Sequence, residues 1–316
     1  MSVDPHMIEN AGTPVGRGVR VRVPATSANL GPGFDTLGLA LSVYDEITVT
    51  VREEPGALVE IHGVGEGTVP TDETNLVVTS MAYAFAAFGR EVPGVHIVAH
   101  NTIPHGRGMG SSGAAVVAGI MAAKGLLAGA VEISDEALLH LATEIEGHPD
   151  NVAPALFGGL TIAWESETGP RHKKLAVHRG VSPLVLVPEH TLSTKVARGL
   201  QPENVPHIDA VFNVSRSALL IAALTQSPEL LWDGTADRLH QDYRAEAMPA
   251  THALVTALRE EGLPAVVSGA GPSVLVLADG TGERARAAAL AAATPGAPWR
   301  ELMLAVDVRG ASVDAL

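Results

Sequence analysis

Residues 103–115 read Ile-Pro-His-Gly-Arg-Gly-Met-Gly-Ser-Ser-Gly-Ala-Ala and run on into Val116-Val117-Ala118-Gly119-Ile120-Met121-Ala122-Ala123-Lys124. A glycine-rich loop opens directly into an apolar helix. Gly106, Gly108, Gly110 and Gly113 permit φ > 0 and close approach of the backbone to an anion. The first N–H groups of a helix lack intrahelical partners, and the helix dipole places partial positive charge there. Together they predict a phosphate cradle. Ser111 and Ser112 put hydroxyls where a phosphate or its Mg2+ would sit. Two familiar loops are excluded. No lysine precedes the serines, as Gly-x-x-x-x-Gly-Lys-Ser/Thr requires. Gly106-x-Gly108-x-Gly110 also lacks the dinucleotide spacing Gly-x-Gly-x-x-Gly.

Upstream of the loop, residues 19–23 alternate with period two and predict a strand. Residues 26–38 read as a glycine-bent loop, and further strands are expected at 45–52, 58–62 and 95–100. Apolar positions at helical spacing predict a helix over 71–89, capped by Thr71 or Asp72. Downstream, Ser134 caps a predicted helix over 134–146, which Gly147 and Pro149 stop. A strand follows at 160–164, then a polar stretch at 166–174 that places a domain boundary after residue 170. Beyond it, helices are expected near 193–200, 208–226, 248–261 and 282–294, with strands at 184–187, 265–268, 273–278 and 301–307. Residues 1–17 carry no periodicity and read as a loose tail. Strands alternating with helices and few tight hairpins argue α+β or α/β.

Composition narrows the function classes. An apolar fraction of 46% supports a sizeable core, and 3% aromatics means that Ala, Val and Leu build it. A net charge of −14 argues against nucleic acid, and against any nucleotide site that relies on the overall field. The absence of cysteine excludes disulfides and thiolate metal sites. No secretory leader and no run of about 18 apolar residues is visible, so the expectation is a cytoplasmic protein with no membrane partner.

Three other stretches carry chemistry. In Pro24-Ala25-Thr26-Ser27-Ala28-Asn29-Leu30-Gly31-Pro32-Gly33-Phe34-Asp35, Asn29 and Asp35 share one bent loop. On residue chemistry alone they read better as turn caps than as ligand contacts. In Glu144-Ile145-Glu146-Gly147-His148-Pro149-Asp150-Asn151, two carboxylates occupy the last turn of a helix, where the dipole disfavours them by roughly 0.3–1 kcal/mol each. A carboxylate there suits Mg2+, which takes one or two protein oxygens plus phosphate and water. Val267-Ser268-Gly269-Ala270-Gly271-Pro272-Ser273-Val274 reads, alone, as a tight hairpin.

These stretches carry a resemblance. Pro104-His105-Gly106-Arg107-Gly108-Met109-Gly110-Ser111-Ser112-Gly113 resembles the second motif of the GHMP kinases, Pro-x-x-x-Gly-Leu/Met-Gly-Ser-Ser-Ala/Gly. The opening stretch is similar to the first motif of the homoserine kinases within that superfamily, and the third stretch to its third motif. Ser193-Thr194-Lys195-Val196-Ala197-Arg198 and Leu239-His240-Gln241-Asp242-Tyr243-Arg244 also resemble homoserine-kinase segments. The resemblance implies an α+β, two-domain GHMP kinase fold. Its N-terminal half, 18–170, would be like ribosomal protein S5 domain 2, and its C-terminal half, 171–316, ferredoxin-like. It implies ATP-dependent phosphorylation of the L-homoserine hydroxyl, in threonine biosynthesis, by a homodimeric enzyme.

By residue, the resemblance places ATP on 104–113 with Asn75 near the adenine, and Mg2+ on Ser112 and Glu146 rather than Glu144. Asn29 and Asn151 would orient the acceptor hydroxyl. Asp35 would meet the ammonium, Arg198 and Arg244 the carboxylate, and His148 and Asp150 would face the acceptor. Another GHMP small-molecule kinase and an inactive, ligand-binding relative are the alternatives.

Overall fold

The computed structural model describes residues 12–294 and 298–316. In chain order the elements are β1 (Gly18–Ala28), β2 (Leu37–Arg52), β3 (Ala57–Gly63), α1 (Leu76–Ala87), β4 (Gly94–Asn101), α2 (Ser111–Leu126), α3 (Asp135–Glu146), α4 (Pro149–Phe157), β5 (Leu160–Ser166), β6 (Gly169–Leu175), β7 (Val181–Pro188), α5 (Thr194–Gly199), α6 (His207–Thr225), α7 (Leu231–Gly234), α8 (Pro249–Glu260), β8 (Ala265–Val267), β9 (Val274–Asp279), α9 (Gly280–Ala293), β10 (Trp299–Met303) and β11 (Ser312–Ala315). The fold is α+β.

The first sheet runs β11-β1-β2-β4-β3, and β5 continues it by pairing with the start of β2 and with β6. Only β3 and β4 are parallel among these pairs. β1 changes register between Pro24 and Ala25. Beyond that irregularity its residues are buried on both faces, which erases the period-two signal and explains why only 19–23 is legible as strand. The second sheet is antiparallel, order β10-β7-β9-β8. With α8 and α9 packed against it, this is the 4-1-3-2 strand order of a βαββαβ unit. Leu184, Leu186, Val274, Val276, Leu254, Leu258 and Ala287 form its core.

Several boundaries differ from expectation. Helix α1 starts at Leu76, because Asn75, not Thr71 or Asp72, caps it by accepting from the Val77 N–H. Pro149 does not merely end α3. It is the first residue of α4, where its fixed φ suits a helix start and its missing N–H is no loss. The expected division after residue 170 falls inside β6, which belongs to the first sheet, and β11 returns from the C-terminal half to pair with β1. Residues 1–11 of the expected tail lie outside the described residues. Residues 16 and 17 are tied to the body: the Gly16 N–H donates to the Val51 carbonyl, and the Arg17 guanidinium to the carbonyls of Gly125 and Ala128. By length and composition α6 could cross a membrane, but its buried Asn213 donates to Asp237 at 2.7 Å within the second domain.

Candidate active site

The loops after β1 and β4, the end of α3, the starts of α2, α4 and α5, and the turn between β8 and β9 converge on one cavity of about 200 Å³. Its first wall is the loop before α2. Gly106, Gly108 and Gly110 hold φ of 63°, 70° and 68°, so the loop needs the freedom that only glycine has without strain. Gly110 is the N-cap of α2, and no side chain caps that helix. Its orphan N–H groups are left for a ligand. The start of α4 is likewise without a side-chain cap. The N-termini of α2 and α4 therefore meet at one cavity, a local field that favours an anion although the chain carries net charge −14.

The second domain clamps this loop. The Ser268 hydroxyl donates to the Gly108 carbonyl at 2.6 Å and lies 2.8 Å from the Ser27 hydroxyl. Arg107 spends its guanidinium on the carbonyls of Pro188, Glu189 and His105. Its side chain is a staple to the end of β7. Burial holds the His105 imidazole below its ordinary pKa, opposed by the charge of Asp45. Met109 is fully buried as an anchor.

The acidic wall is the end of α3. Ser112 Oγ donates to Glu146 Oε2 at 2.9 Å. Burial raises the Glu146 carboxyl pKa, opposed by that hydrogen bond and by the charge of His148. Among the described residues Glu146 has no ion-pair partner. Glu144 instead accepts from the Tyr83 hydroxyl and faces His140, away from the cavity. A carboxylate short of positive charge beside a hydroxyl fits a hard divalent cation that completes its shell with phosphate and water. His148 Nδ1 pairs with Asp150 Oδ1, and that hydrogen bond raises the imidazole pKa.

Opposite lies the bent loop after β1. Asn29 and Asp35 have φ of 70° and 53°, uncommon for non-glycine residues and often found at functional sites. Asn29 Oδ1 accepts from the Asp35 N–H at 3.0 Å, and Asn29 Nδ2 donates to the Gly269 carbonyl at 3.0 Å. That carbonyl also accepts from Arg244 Nη1 at 3.1 Å. Arg244 is only 3% exposed, lines the cavity and has no carboxylate partner among the described residues. Burial lowers its pKa, opposed by the charge of Asp237. Phe34 stacks on the His240 ring at 4.0 Å, with both guanidinium groups, of Arg198 and Arg244, within 6 Å of it.

The cavity thus gathers Asn29, Gly106, Arg107, Gly108, Gly110, Ser111, Ser112, Glu146, His148, Asp150, Asn151, Arg198 and Arg244. Asp35 stands at its edge in a bidentate pair with Arg198, at 2.7 and 3.1 Å; the two expected ligands of a zwitterion hold each other. Pro104, His105, Met109, Gly113 and Asn75 lie outside it. Asn75 and His105 line a small apolar cavity on the other side of the loop, with Ile61, Val69 and Ile97. Both polar atoms of the Asn75 side chain are engaged, with Val77 N–H and the Pro70 carbonyl. Phe34, Thr194 and Gly269 join the cavity wall without having been singled out as site residues. Their signal was membership of motifs already in view.

Known proteins resemble this chain. The models described as "GHMP kinases N terminal domain" and "GHMP kinases C terminal" match residues 75–159 and 215–294. The homoserine kinase of Clavibacter michiganensis is 71% identical over 95% of either chain. The chain belongs to the homoserine kinase family of GHMP kinases. Another homoserine kinase, from Leifsonia xyli, is 67% identical over 94% of this chain and 92% of its own. Among solved structures, the homoserine kinase of Cytophaga hutchinsonii superposes with a TM-score of 0.83 at 26% identity, covering 99% of this GHMP kinase and all of that chain, 100%.

Proposed function

We propose that this GHMP kinase transfers the γ-phosphoryl group of ATP to the hydroxyl of L-homoserine. The carrying observation is Arg244: a buried guanidinium, unpaired with any described carboxylate, that faces the phosphate loop across the cavity. A buried charge without a partner is costly, and an amino-acid carboxylate supplies the missing one. Asp35 and Arg198, paired with each other at 2.7 and 3.1 Å, carry the complementary charges for the rest of the zwitterion. Their contact with each other opens, Asp35 taking the ammonium and Arg198 joining Arg244 on the carboxylate.

The protein's contribution is positioning and electrostatics, as phosphoryl transfer demands. Backbone N–H groups of 106–113 and the start of α2 hold the phosphates. Glu146 and Ser112 would hold Mg2+, which when bound neutralises phosphate charge. The hydroxyl oxygen of homoserine forms the new P–O bond as the bond to ADP breaks. Asn29 and Asn151 orient that hydroxyl; an amide cannot take its proton, which passes to a phosphoryl oxygen or water. Adenine would border Asn75 in the apolar cavity. The homodimer that the resemblance implies belongs to the same proposal, and sedimentation of the purified chain decides it.

Coupled ADP release with homoserine, mevalonate, galactose or no acceptor tests the reading. Homoserine alone should accelerate release well above background. Equal rates with all four overturn it.

A further inference from the structure

Thr26 has no role in the reading above, yet it sits where three parts of the site meet. It is fully buried near the end of β1. Its N–H donates to the Met109 carbonyl at 3.1 Å, inside the phosphate loop. Its hydroxyl donates to Asn151 Oδ1 at 2.8 Å, in the first turn of α4. Gly110 packs so closely on Thr26 Oγ1 that a methyl group at 110 would overlap it. The hydroxyl is wedged between the loop that holds phosphate and the helix that presents the amide.

The consequence is the orientation of that amide. The last torsion of an asparagine is broad and nearly two-fold, so the side chain itself does not choose which end faces the cavity. Thr26 chooses. With Oδ1 engaged by the hydroxyl, what Asn151 has left to offer the cavity is its pair of N–H donors. A donated N–H occupies one lone pair of the acceptor oxygen and leaves the other to point at the phosphoryl group, which is a matter of position rather than of charge.

We propose that Thr26 is a positioning residue for phosphoryl transfer: its hydroxyl holds Asn151 so that the amide donates to the attacking oxygen. The proposal rests on the assignment of Asn151 to the acceptor site made above. Val is the near-isostere of Thr without the hydroxyl. T26V should lower kcat about 10- to 100-fold, the scale of a lost buried hydrogen bond at the reacting centre, while KM for homoserine and for ATP stays within about twofold. T26S, which keeps the hydroxyl, should recover most of kcat.

A double-mutant cycle with N151A separates positioning from general stability. In the N151A background the further change T26V should alter kcat less than about twofold. Wild-type kcat in T26V overturns the proposal. So does an unchanged T26V penalty in the N151A background, because Thr26 would then act elsewhere. Thermal melting of all four proteins identifies a variant that has merely lost its fold, and T26S remains decisive in that case. If the wild type fails with homoserine, the substrate assignment falls instead, and the cycle is read on whichever acceptor of the panel is phosphorylated.

Discussion

Glu146 occupies a position that folding alone does not favour. It lies at the carbonyl end of α3, and burial pushes its carboxyl pKa up. The folded state therefore holds the proton more tightly than the unfolded chain does. Such a group stabilises fully below its unfolded pKa, and that contribution is lost as pH rises through the folded value. At neutral pH the ionised carboxylate is a burden that an amide does not carry. Glu146→Gln should abolish turnover without lowering Tm, and should raise it slightly in metal-free buffer; retained activity with Mg2+ would remove Glu146 as the ligand. Arg244→Ala should weaken homoserine binding by on the order of 30-fold to several thousand-fold, with KM for ATP nearly unchanged. An alcohol lacking the carboxylate should be discriminated against by the wild type and much less by the variant. A wild type that uses both equally well leaves Arg244 without this role. At this scale the sequence identified the residue types but not their present partners. Asp35 and Arg198 were legible as opposite charges suited to one ligand, yet nothing in their spacing of more than 160 positions told that they close on each other.

Elements bring these residues together, and here the sequence was less legible. Helix α3 and the loop-to-helix junction at α2 carried strong local signals: a capping serine, acidic first-turn residues, a run of glycines. Helix α4 carried a misleading one. Pro149 stops a helix and starts a helix with equal ease, and a nine-residue element interrupted by Pro154 shows too little periodicity to be seen. β6, with its Arg, His and two Lys, has the composition of a linker because it is an edge strand. The entry to the phosphate loop is braced by another element-level device. Asp45 in β2 accepts from the N–H groups of Thr102 and Ile103 at 2.7 and 2.9 Å, just after β4 ends. Burial raises its carboxyl pKa more than these donors lower it. By the same linkage, the wild type should lose stability relative to Asp45→Asn as pH rises through the folded Asp45 value. Melting curves of the two proteins across the acidic range read the slope. The opposite slope would mean that the two N–H donors outweigh burial.

At the scale of the whole molecule, the two sheets meet through contacts that also shape the site. Gly108 is the tightest of these. At φ 70° it lies so near the Ser268 carbonyl that a methyl group would overlap it, and its own carbonyl accepts from Ser268 Oγ. Gly108→Ala should therefore act on both domains at once, lowering Tm by several degrees and raising KM for ATP more than KM for homoserine. An unchanged Tm would mean that the seam between the sheets accommodates the methyl group. The two-domain organisation was legible from the order of the motifs. The strand that recrosses from the second half to the first was not, because four residues at Ser312–Ala315 carry almost no pattern of their own.

That recrossing has a practical side. The Leu316 N–H donates to the Gly18 carbonyl at 3.0 Å, next to the pairing of Ala315 with Val19. Residues 18 and 316 could thus be joined by a few residues of linker, and the backbone opened elsewhere, at the exposed turn between Ser166 and Gly169. Such a circular permutant keeps every strand pairing while reversing the order in which the two halves leave the ribosome. It would show whether the phosphate loop needs the first sheet to be complete before the second closes over it, or whether the halves assemble in either order.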